Sequence, residues 1–339
     1  MKKKWSAVLS FLLSLCMLCS CGAGTEESKE TSAAESSAEA SAPEASDVSE
    51  IELSEEESKE PEDPLSRVWE SVEVISEYDI HYDSAGMFLY RSDVGLVLQK
   101  GDMTAPLYPA SITKVAAALT ALKWADPETV IEAGNELDLV ARDSTIAYIR
   151  KGQKLTVAML IRAMLLPSGC DASYVLAAGV GRLMDPGAET ASDAVAVFVE
   201  GMNEFCKDVG CVGSHWVNPD GYHDPEHYTC MADLLRLASL AMENAVVRDC
   251  ASCGSIDVTY ASGESNHWEN TNAFVRKDSP LFDPTCVGLK TGTTDEAGAC
   301  LLSCFEENGV LTIIGVFGCQ EKNSRFSVTS EIREKYRFI

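Results

Sequence analysis

The sequence predicts an α+β domain in which an antiparallel sheet packs against helices. A strand–turn–strand pattern covers 86–100, a block of apolar helical segments follows it, and a second strand pair with a last helix ends the chain. Strands and helices in separate stretches favour an antiparallel sheet over alternating β–α units. We therefore expect 66–339 to form one large domain or a core with an inserted lobe.

Residues 1–21 are predicted to be a lipoprotein-type signal peptide. Lysines at 2–4 precede an apolar stretch at 7–15 that is too short to span a bilayer comfortably. The segment ends in Leu-Cys-Ser-Cys-Gly at 18–22, which resembles a bacterial lipobox with Cys21 as the lipidated residue. An ordinary cleaved signal is the alternative, and it would give a secreted protein. Either interpretation predicts an extracytoplasmic protein.

The segment 22–65 is predicted to be a disordered acidic spacer. It is rich in Ser, Ala, Glu and Pro, and its fifteen acidic residues and two lysines supply half of the formal net charge of −26. It has too few large apolar side chains to fold, and its charge favours extension. The acidic balance also argues against nucleic acid as a partner.

The elements of the remaining chain follow from apolar periodicity and turn residues. Strands are predicted on both sides of a turn within 86–100 and at 299–304 and 310–317. Helices are predicted at 111–124, 157–166, 195–205, 231–243 and 328–336.

Ten cysteines lie beyond the signal region, and we expect most of them to be free thiols. Cys206 with Cys211, or Cys250 with Cys253, are close enough in sequence to pair if the exported protein is oxidised. Zinc is disfavoured because no two CxxC pairs have suitable spacing.

Pro109-Ala-Ser-Ile-Thr-Lys114 precedes an apolar run that is typical of a buried helix. Pro109 suits a helix edge. Ser111 and Lys114 are three residues apart, so on a helix their side chains share one face. A neutral lysine can remove the proton of a serine hydroxyl and make it a nucleophile, although an exposed lysine at a helix start is the plainer interpretation of this motif alone.

Two further motifs add polar chemistry. Lys290-Thr291-Gly292-Thr293 offers a cation and hydroxyls suited to a terminal carboxylate, and Thr293 could give a backbone N–H to an oxyanion. Ser168, in the loop 167–172 between two helices, is placed to relay a proton, although it could instead cap a helix.

Together these motifs resemble those of penicillin-binding proteins and serine β-lactamases. The surrounding residues are most similar to the low-molecular-mass D-alanyl-D-alanine carboxypeptidases of the S11 serine peptidase family. The segments that carry this resemblance are Tyr108–Lys114, Leu165–Ala172, Trp216–Tyr222, His227–Thr229 and Gly288–Thr294 with Ala297-Gly298.

The resemblance implies a β-lactamase/transpeptidase-like fold, with an antiparallel sheet flanked by helices and an all-helical lobe, and a catalytic domain over 66–339. Ser111 would be the acylated nucleophile, Lys114 its general base and Ser168 the proton relay. Lys290 with Thr291 or Thr293 would hold the carboxylate of a peptidoglycan stem peptide ending in D-Ala-D-Ala. β-Lactams would acylate the same serine, and no cofactor or metal is implied.

One departure concerns Cys170, which stands where the family's Ser-x-Asn motif has asparagine and would face the substrate. An amide both donates and accepts strongly, whereas a thiol does both weakly. We expect a competent but altered carboxypeptidase. The alternatives are a weakly active or inactive wall-binding relative and a serine β-lactamase or esterase. A zinc peptidase using His223 and His227 is disfavoured because Pro225 interrupts a regular helix.

Cys21→Ser is expected to release the protein into the medium, because two acyl chains on Cys21 would be what holds it firmly to the membrane. Separation of cells into membrane and medium fractions measures this, and membrane retention of the variant would contradict the lipid anchor.

Overall fold

The computed structural model describes residues 73–75, 81–260 and 263–337. The predicted signal peptide at 1–21, which includes Cys21, and the acidic spacer at 22–65 lie outside these residues. Within the described ranges, no helix combines the length and the apolar character that crossing a membrane requires.

The centre of the domain is a six-stranded sheet. The strands of the structure are, in chain order, β1 (Glu73–Ile75), β2 (Gly86–Arg91), β3 (Gly95–Lys100), β4 (Val130–Glu132), β5 (Lys154–Thr156), β6 (Ser255–Thr259), β7 (Ser265–Glu269), β8 (Cys286–Thr294), β9 (Gly298–Glu307) and β10 (Val310–Cys319). The central sheet has the order β1–β3–β2–β10–β9–β8. Neighbouring strands of this sheet run antiparallel, except β1 and β3, which run parallel. The predicted antiparallel sheet is therefore confirmed, with one parallel strand at its edge.

Both faces of this sheet are covered, which explains the apolar runs of its central strands. All six residues of β2 are buried. Because side chains alternate between the two faces of a strand, Met87 and Leu89 join one core while Phe88 and Tyr90 join the other. A strand buried on both faces has little room for polar residues, so its sequence does not alternate.

The residues that the structure describes form seven α-helices. They are α1 (Thr113–Trp124), α2 (Val157–Leu165), α3 (Cys170–Met184), α4 (Ala191–Asp208), α5 (Met231–Glu243), α6 (Ala245–Ser252) and α7 (Ser324–Tyr336). Helix α1 contacts α2, α3, α4 and α5, and residues 113–121 are all buried. This agrees with its sequence, which is apolar on every side. Helix α7 packs against β9 and β10 on the opposite face.

The predicted helices are confirmed with small shifts at their ends. The first is preceded by a 3₁₀ turn at Ala110–Ile112, and the last begins at Ser324, four residues before the predicted start. The hairpin of β6 and β7 was not predicted. Its buried side chains are Val258 and Trp268, and their neighbours are mostly polar and exposed, so no apolar pattern marks it.

Helices α3 and α4 approach each other closely at Gly181. A Cβ atom on Gly181 would lie only 1.9 Å from the backbone oxygen of Ala194. Since backbone atoms cannot yield as a side chain can, the glycine allows this helix contact.

Gly181→Ala is expected to lower the free energy of unfolding by about 2–3 kcal/mol, because the two helices must move apart. Gly201→Ala is the matched control. Its added Cβ would lie 2.3 Å from the flexible end of Met184, which can move aside, and alanine has the better helix propensity. Urea unfolding of both variants measures the difference, and equal effects would contradict this view of the interface.

Candidate active site

Ser111 lies in the 3₁₀ turn that leads into α1. The turn requires an unusual backbone, since Ala110 has a φ of 47°. Two glycines make room for it: a Cβ on Gly221 would lie 1.9 Å from the Ala110 oxygen, and one on Gly292 would lie 3.0 Å from the Ala110 Cβ. The loop at Gly221 and the strand at Gly292 therefore flank the candidate nucleophile at close range.

Lys114 is fully buried beside Ser111. Its Nζ donates to Ser111 Oγ at 2.8 Å, to the backbone oxygen of Asp220 at 2.6 Å and to Cys170 Sγ at 3.5 Å. A lysine ammonium has three N–H donors, one for each of these acceptors, whereas the neutral amine has two donors and a lone pair that can face the Ser111 hydroxyl. The arrangement confirms that Ser111 and Lys114 share one face and shows that Cys170 joins them.

The loop that carries Ser168 and Cys170 is held by Asp171. The buried Asp171 carboxylate accepts the backbone N–H groups of Ala147 at 2.8 Å and Ile149 at 2.9 Å. Burial raises the pKa of Asp171, while these N–H groups act to lower it. Ser168 has a φ of 65°, and such strained conformations persist where the surroundings fix them. The site thus rests on a rigid loop at the start of α3.

Lys290 connects β8 to the same loop. Its Nζ donates to Ser168 Oγ at 3.0 Å and to the backbone oxygen of Thr291 at 2.9 Å. Burial lowers the pKa of Lys290 well below its usual value, and the charge of Lys114 lowers it further. The Thr291 hydroxyl donates to Thr271 Oγ1 at 2.7 Å.

Arg325 reaches the site from α7, on the other face of the sheet. Its Nη1 donates to the Gly292 oxygen at 3.0 Å and to Thr293 Oγ1 at 3.0 Å. It is 5% exposed, and burial lowers its pKa. No sequence pattern pointed to Arg325, because its partners are more than thirty residues away.

A cleft of about 460 Å³ opens above these groups. It is lined by Ser111, Asp143, Ser144, Thr145, Cys170, Asp220, Gly221, Tyr222, His223, Thr293, Thr294, Asp295 and Glu296. Lys114, Ser168, Lys290 and Thr291 are buried beside it. Of the three predicted carboxylate contacts, Thr293 is therefore the one that lines the cleft. The structure brings every predicted site residue within the described ranges to this one place.

His227 supports the turn at Ser111. Its Nδ1 accepts the N–H of Val217 at 3.1 Å, so Nε2 carries the proton and donates to Thr113 Oγ1 at 2.8 Å. Thr113 Oγ1 in turn donates to the Ala110 oxygen at 2.8 Å. Burial lowers the pKa of His227 to about 4. Both ring nitrogens are occupied, and the described residues contain no group of three metal ligands.

A mixed sheet flanked by helices, with Ser-x-x-Lys at a helix start and Lys-Thr-Gly on an edge strand, defines the penicillin-binding class of serine hydrolases. The chain belongs to the S11 peptidase family: the family model for D-alanyl-D-alanine carboxypeptidase matches residues 73–321.

The curated relatives carry the same name. The chain is 29% identical over 214 residues to a D-alanyl-D-alanine carboxypeptidase of Streptomyces sp. strain K15, a match covering 60% of this chain and 70% of that protein. It is 23% identical over 252 residues to the D-alanyl-D-alanine carboxypeptidase DacF of Bacillus subtilis. That match covers 73% of this chain and 60% of DacF.

Solved structures share the fold. The Streptomyces K15 DD-transpeptidase superposes with a TM-score of 0.66 and 24% identity, covering 74% of this chain and 96% of that one. Penicillin-binding protein D2 from Listeria monocytogenes, in its ampicillin-bound form, gives a TM-score of 0.60 and 22% identity. That match covers 76% of this chain and 98% of the Listeria protein. The predicted fold class is confirmed.

Stability is expected to fall between pH 7 and pH 4 because of His227. A histidine whose folded pKa is about 4, below the ordinary value of 6.5, binds a proton more readily when unfolded. Its contribution is present above pH 6.5 and is lost as the pH falls towards 4, by roughly 2–3 kcal/mol.

His227→Gln should therefore flatten the dependence of unfolding free energy on pH in this window, whatever its effect at pH 7. The measurement is urea unfolding at several pH values. Ser252→Ala, an exposed serine that does not titrate in this range, is the control and should keep the wild-type slope. An unchanged slope for His227→Gln would contradict the assignment.

Proposed function

We propose that this protein is a serine-type D-Ala-D-Ala carboxypeptidase that removes the terminal D-Ala from peptidoglycan stem peptides through an acyl-enzyme on Ser111. The observation that carries the proposal is the presence of two hydrogen-bonded pairs, Ser111 with Lys114 and Ser168 with Lys290, beside one cleft. Membership of the S11 family supports the peptidase over a β-lactamase or esterase of the same fold.

In the first step, Lys114 takes the Ser111 proton and Ser111 Oγ attacks the carbonyl carbon of the penultimate D-Ala. The 2.8 Å contact between the two side chains supports this transfer. The developing oxyanion lies between the backbone N–H groups of Ser111 and Thr293, which belong to adjacent segments because Gly292 contacts the Ser111 turn.

In the second step, Ser168 donates its proton to the D-Ala nitrogen as the C–N bond breaks, and it takes back the proton that Lys114 removed from Ser111, so that Lys114 is neutral again. Ser168 Oγ accepts a hydrogen bond from Lys290, so its own hydrogen is available for donation. Water then hydrolyses the ester on Ser111 and returns the enzyme to its starting state.

The substrate carboxylate is proposed to contact Thr293 above the buried charges of Lys290 and Arg325. Burial holds the pKa of Lys290 low in the empty site. An arriving carboxylate favours the protonated lysine, since a nearby opposite charge stabilises an ammonium. Thr291 supports this position through Thr271 and does not line the cleft.

Cys170 favours a second candidate, a weakly active or inactive protein that binds β-lactams or peptidoglycan. Its sulfur lies 3.5 Å from Lys114 Nζ, a weaker contact than an amide oxygen would make. Against this, variants of the Streptomyces K15 DD-transpeptidase replace a serine and a cysteine two positions later, the spacing of Ser168 and Cys170. A DD-transpeptidase with a serine and a cysteine at the same spacing supports the proposal that Ser168 and Cys170 belong to a catalytically competent site.

For the whole chain we propose that 1–21 is a lipoprotein signal, 22–65 a spacer and 66–339 the catalytic domain. Diacylated Cys21 would then attach the enzyme to the outer side of the membrane, and the extended acidic spacer would let it reach the wall. The membrane, the stem peptide and β-lactams are the proposed partners.

The wild type is expected to release D-Ala from a peptide ending in D-Ala-D-Ala and to be labelled by fluorescent penicillin. Ser111→Ala should lose both, because no acyl-enzyme can form. Ser252→Ala, an exposed serine at the end of α6, is the control and should keep both. Absence of D-Ala release by the wild type would overturn the carboxypeptidase.

Cys170→Asn separates the two candidates within the same assays. If the enzyme is competent, penicillin labels the wild-type protein. The Cys170→Asn substitution should then change the rate of D-Ala release by about ten- to a hundredfold at most. If penicillin labels Cys170→Asn and not the wild type, the competent carboxypeptidase is excluded and the inactive binding protein is supported.

A further inference from the structure

Asp220 is a buried carboxylate next to the candidate catalytic groups. It is 1% exposed. Its backbone oxygen accepts from Lys114, and its Oδ1 accepts the backbone N–H of Tyr222 at 3.1 Å. Its other carboxylate oxygen, Oδ2, is buried and has no hydrogen-bond partner among the described residues.

A buried carboxylate oxygen without a hydrogen-bond partner raises the free energy of the folded state, because it has lost its hydrogen bonds to water and has gained none from the protein. The proposed reaction uses the backbone oxygen of Asp220 and gives its side chain no task. The neighbouring Gly221 allows the loop to approach the Ala110 turn closely, and any residue at position 220 would supply a backbone oxygen to Lys114. The carboxylate itself therefore needs a separate explanation.

The titratable groups that face Asp220 come from three elements. They are Lys114 on α1, Cys170 and Tyr174 on α3, and Tyr222 and His227 in the segments before α5. Burial raises the pKa of the Cys170 thiol. The charge of Lys114 acts to lower it, and the negative charge of Asp220 raises it. Lys114 and Asp220 thus act on Cys170 in opposite directions.

A cysteine next to a lysine can prevent that lysine from acting as a base. If Cys170 lost its proton, its thiolate would pair with the Lys114 ammonium 3.5 Å away. That ion pair would hold the proton on Lys114 and leave no base for Ser111. The family's asparagine carries no such risk, because an amide does not ionise.

We propose that Asp220 is a positioning residue whose buried carboxylate keeps Cys170 as a neutral thiol beside Lys114. The Cys170 sulfur then accepts from Lys114 while its S–H turns towards the unpartnered Oδ2 of Asp220. The thiol therefore makes one acceptor and one donor contact, as an asparagine amide can. The inference rests on the proposed function of Lys114 and deepens it.

The first test measures the ionisation of Cys170 without any enzyme assay. Alkylation of Cys170 by iodoacetamide is followed by peptide mass spectrometry from pH 7 to pH 11, with the partly exposed Cys253 as internal reference. Asp220→Asn should move the midpoint of the Cys170 profile to lower pH and speed alkylation near pH 8 about tenfold, one pKa unit of thiolate.

Asp208→Asn, which removes a surface carboxylate paired with Lys123, is the charge-matched control and should keep the wild-type profile. If the midpoint of the Cys170 alkylation profile is unchanged in Asp220→Asn, the proposal is overturned. A higher maximal alkylation rate at an unchanged midpoint also overturns it, because it shows easier access of the reagent to Cys170 and no change in ionisation.

The second test is a double-mutant cycle on acylation by fluorescent penicillin. With rates measured from pH 7 to pH 11, Asp220→Asn should move the alkaline decline of acylation about one pH unit lower when Cys170 is present. It should cause no such shift in a Cys170→Asn background, since asparagine cannot ionise. An equal shift in both backgrounds would mean that Asp220 does not act through Cys170 and overturns the proposal, as does no shift in either. If the wild type is not acylated at all, the proposed function fails, and the alkylation profile still decides the inference.

Discussion

The buried amine of Lys114 is the constraint on which the rest of the site depends. A lysine without solvent needs every N–H satisfied, and here the three acceptors belong to three separate segments. Ser111 comes from the turn before α1, Cys170 from the start of α3 and the Asp220 oxygen from the loop before α5. Moving any of these segments leaves a buried donor unpaired. The lysine therefore fixes the relative positions of a turn, a helix and a loop.

Close backbone approach makes this convergence feasible. Gly221 and Gly292 leave space beside the Ala110 turn that any side chain would fill. The sheet contributes through β8, whose edge position presents Lys290 to Ser168. Arg325 of α7 donates to the Gly292 oxygen of the same strand, so a side chain from the other face of the sheet supports β8 beside the cleft. The catalytic geometry thus depends on the whole domain and not on one lobe.

The charges of the site are unevenly distributed. Three basic side chains, Lys114, Lys290 and Arg325, are buried near the cleft, and burial lowers the pKa of Lys290. In the proposed function, a substrate carboxylate would add negative charge beside these basic side chains. Acidic residues line the mouth of the same cleft, among them Asp143 and Glu296. Within the buried part, Asp220 is the carboxylate that faces both Lys114 and Cys170.

The sequence by itself determined what depends on local periodicity and on motif order. The spacing of Ser111 and Lys114 predicted their contact because side chains three or four residues apart lie on the same face of a helix. The order of the motifs predicted the family. Only the tertiary structure decided that Ser168 meets Lys290 across 122 positions and that Lys114 meets Asp220 across 106. It also shows that the Thr291 hydroxyl donates to Thr271 and that Thr291 does not line the cleft. Such contacts arise when distant segments pack together, and no local pattern records the distance between them.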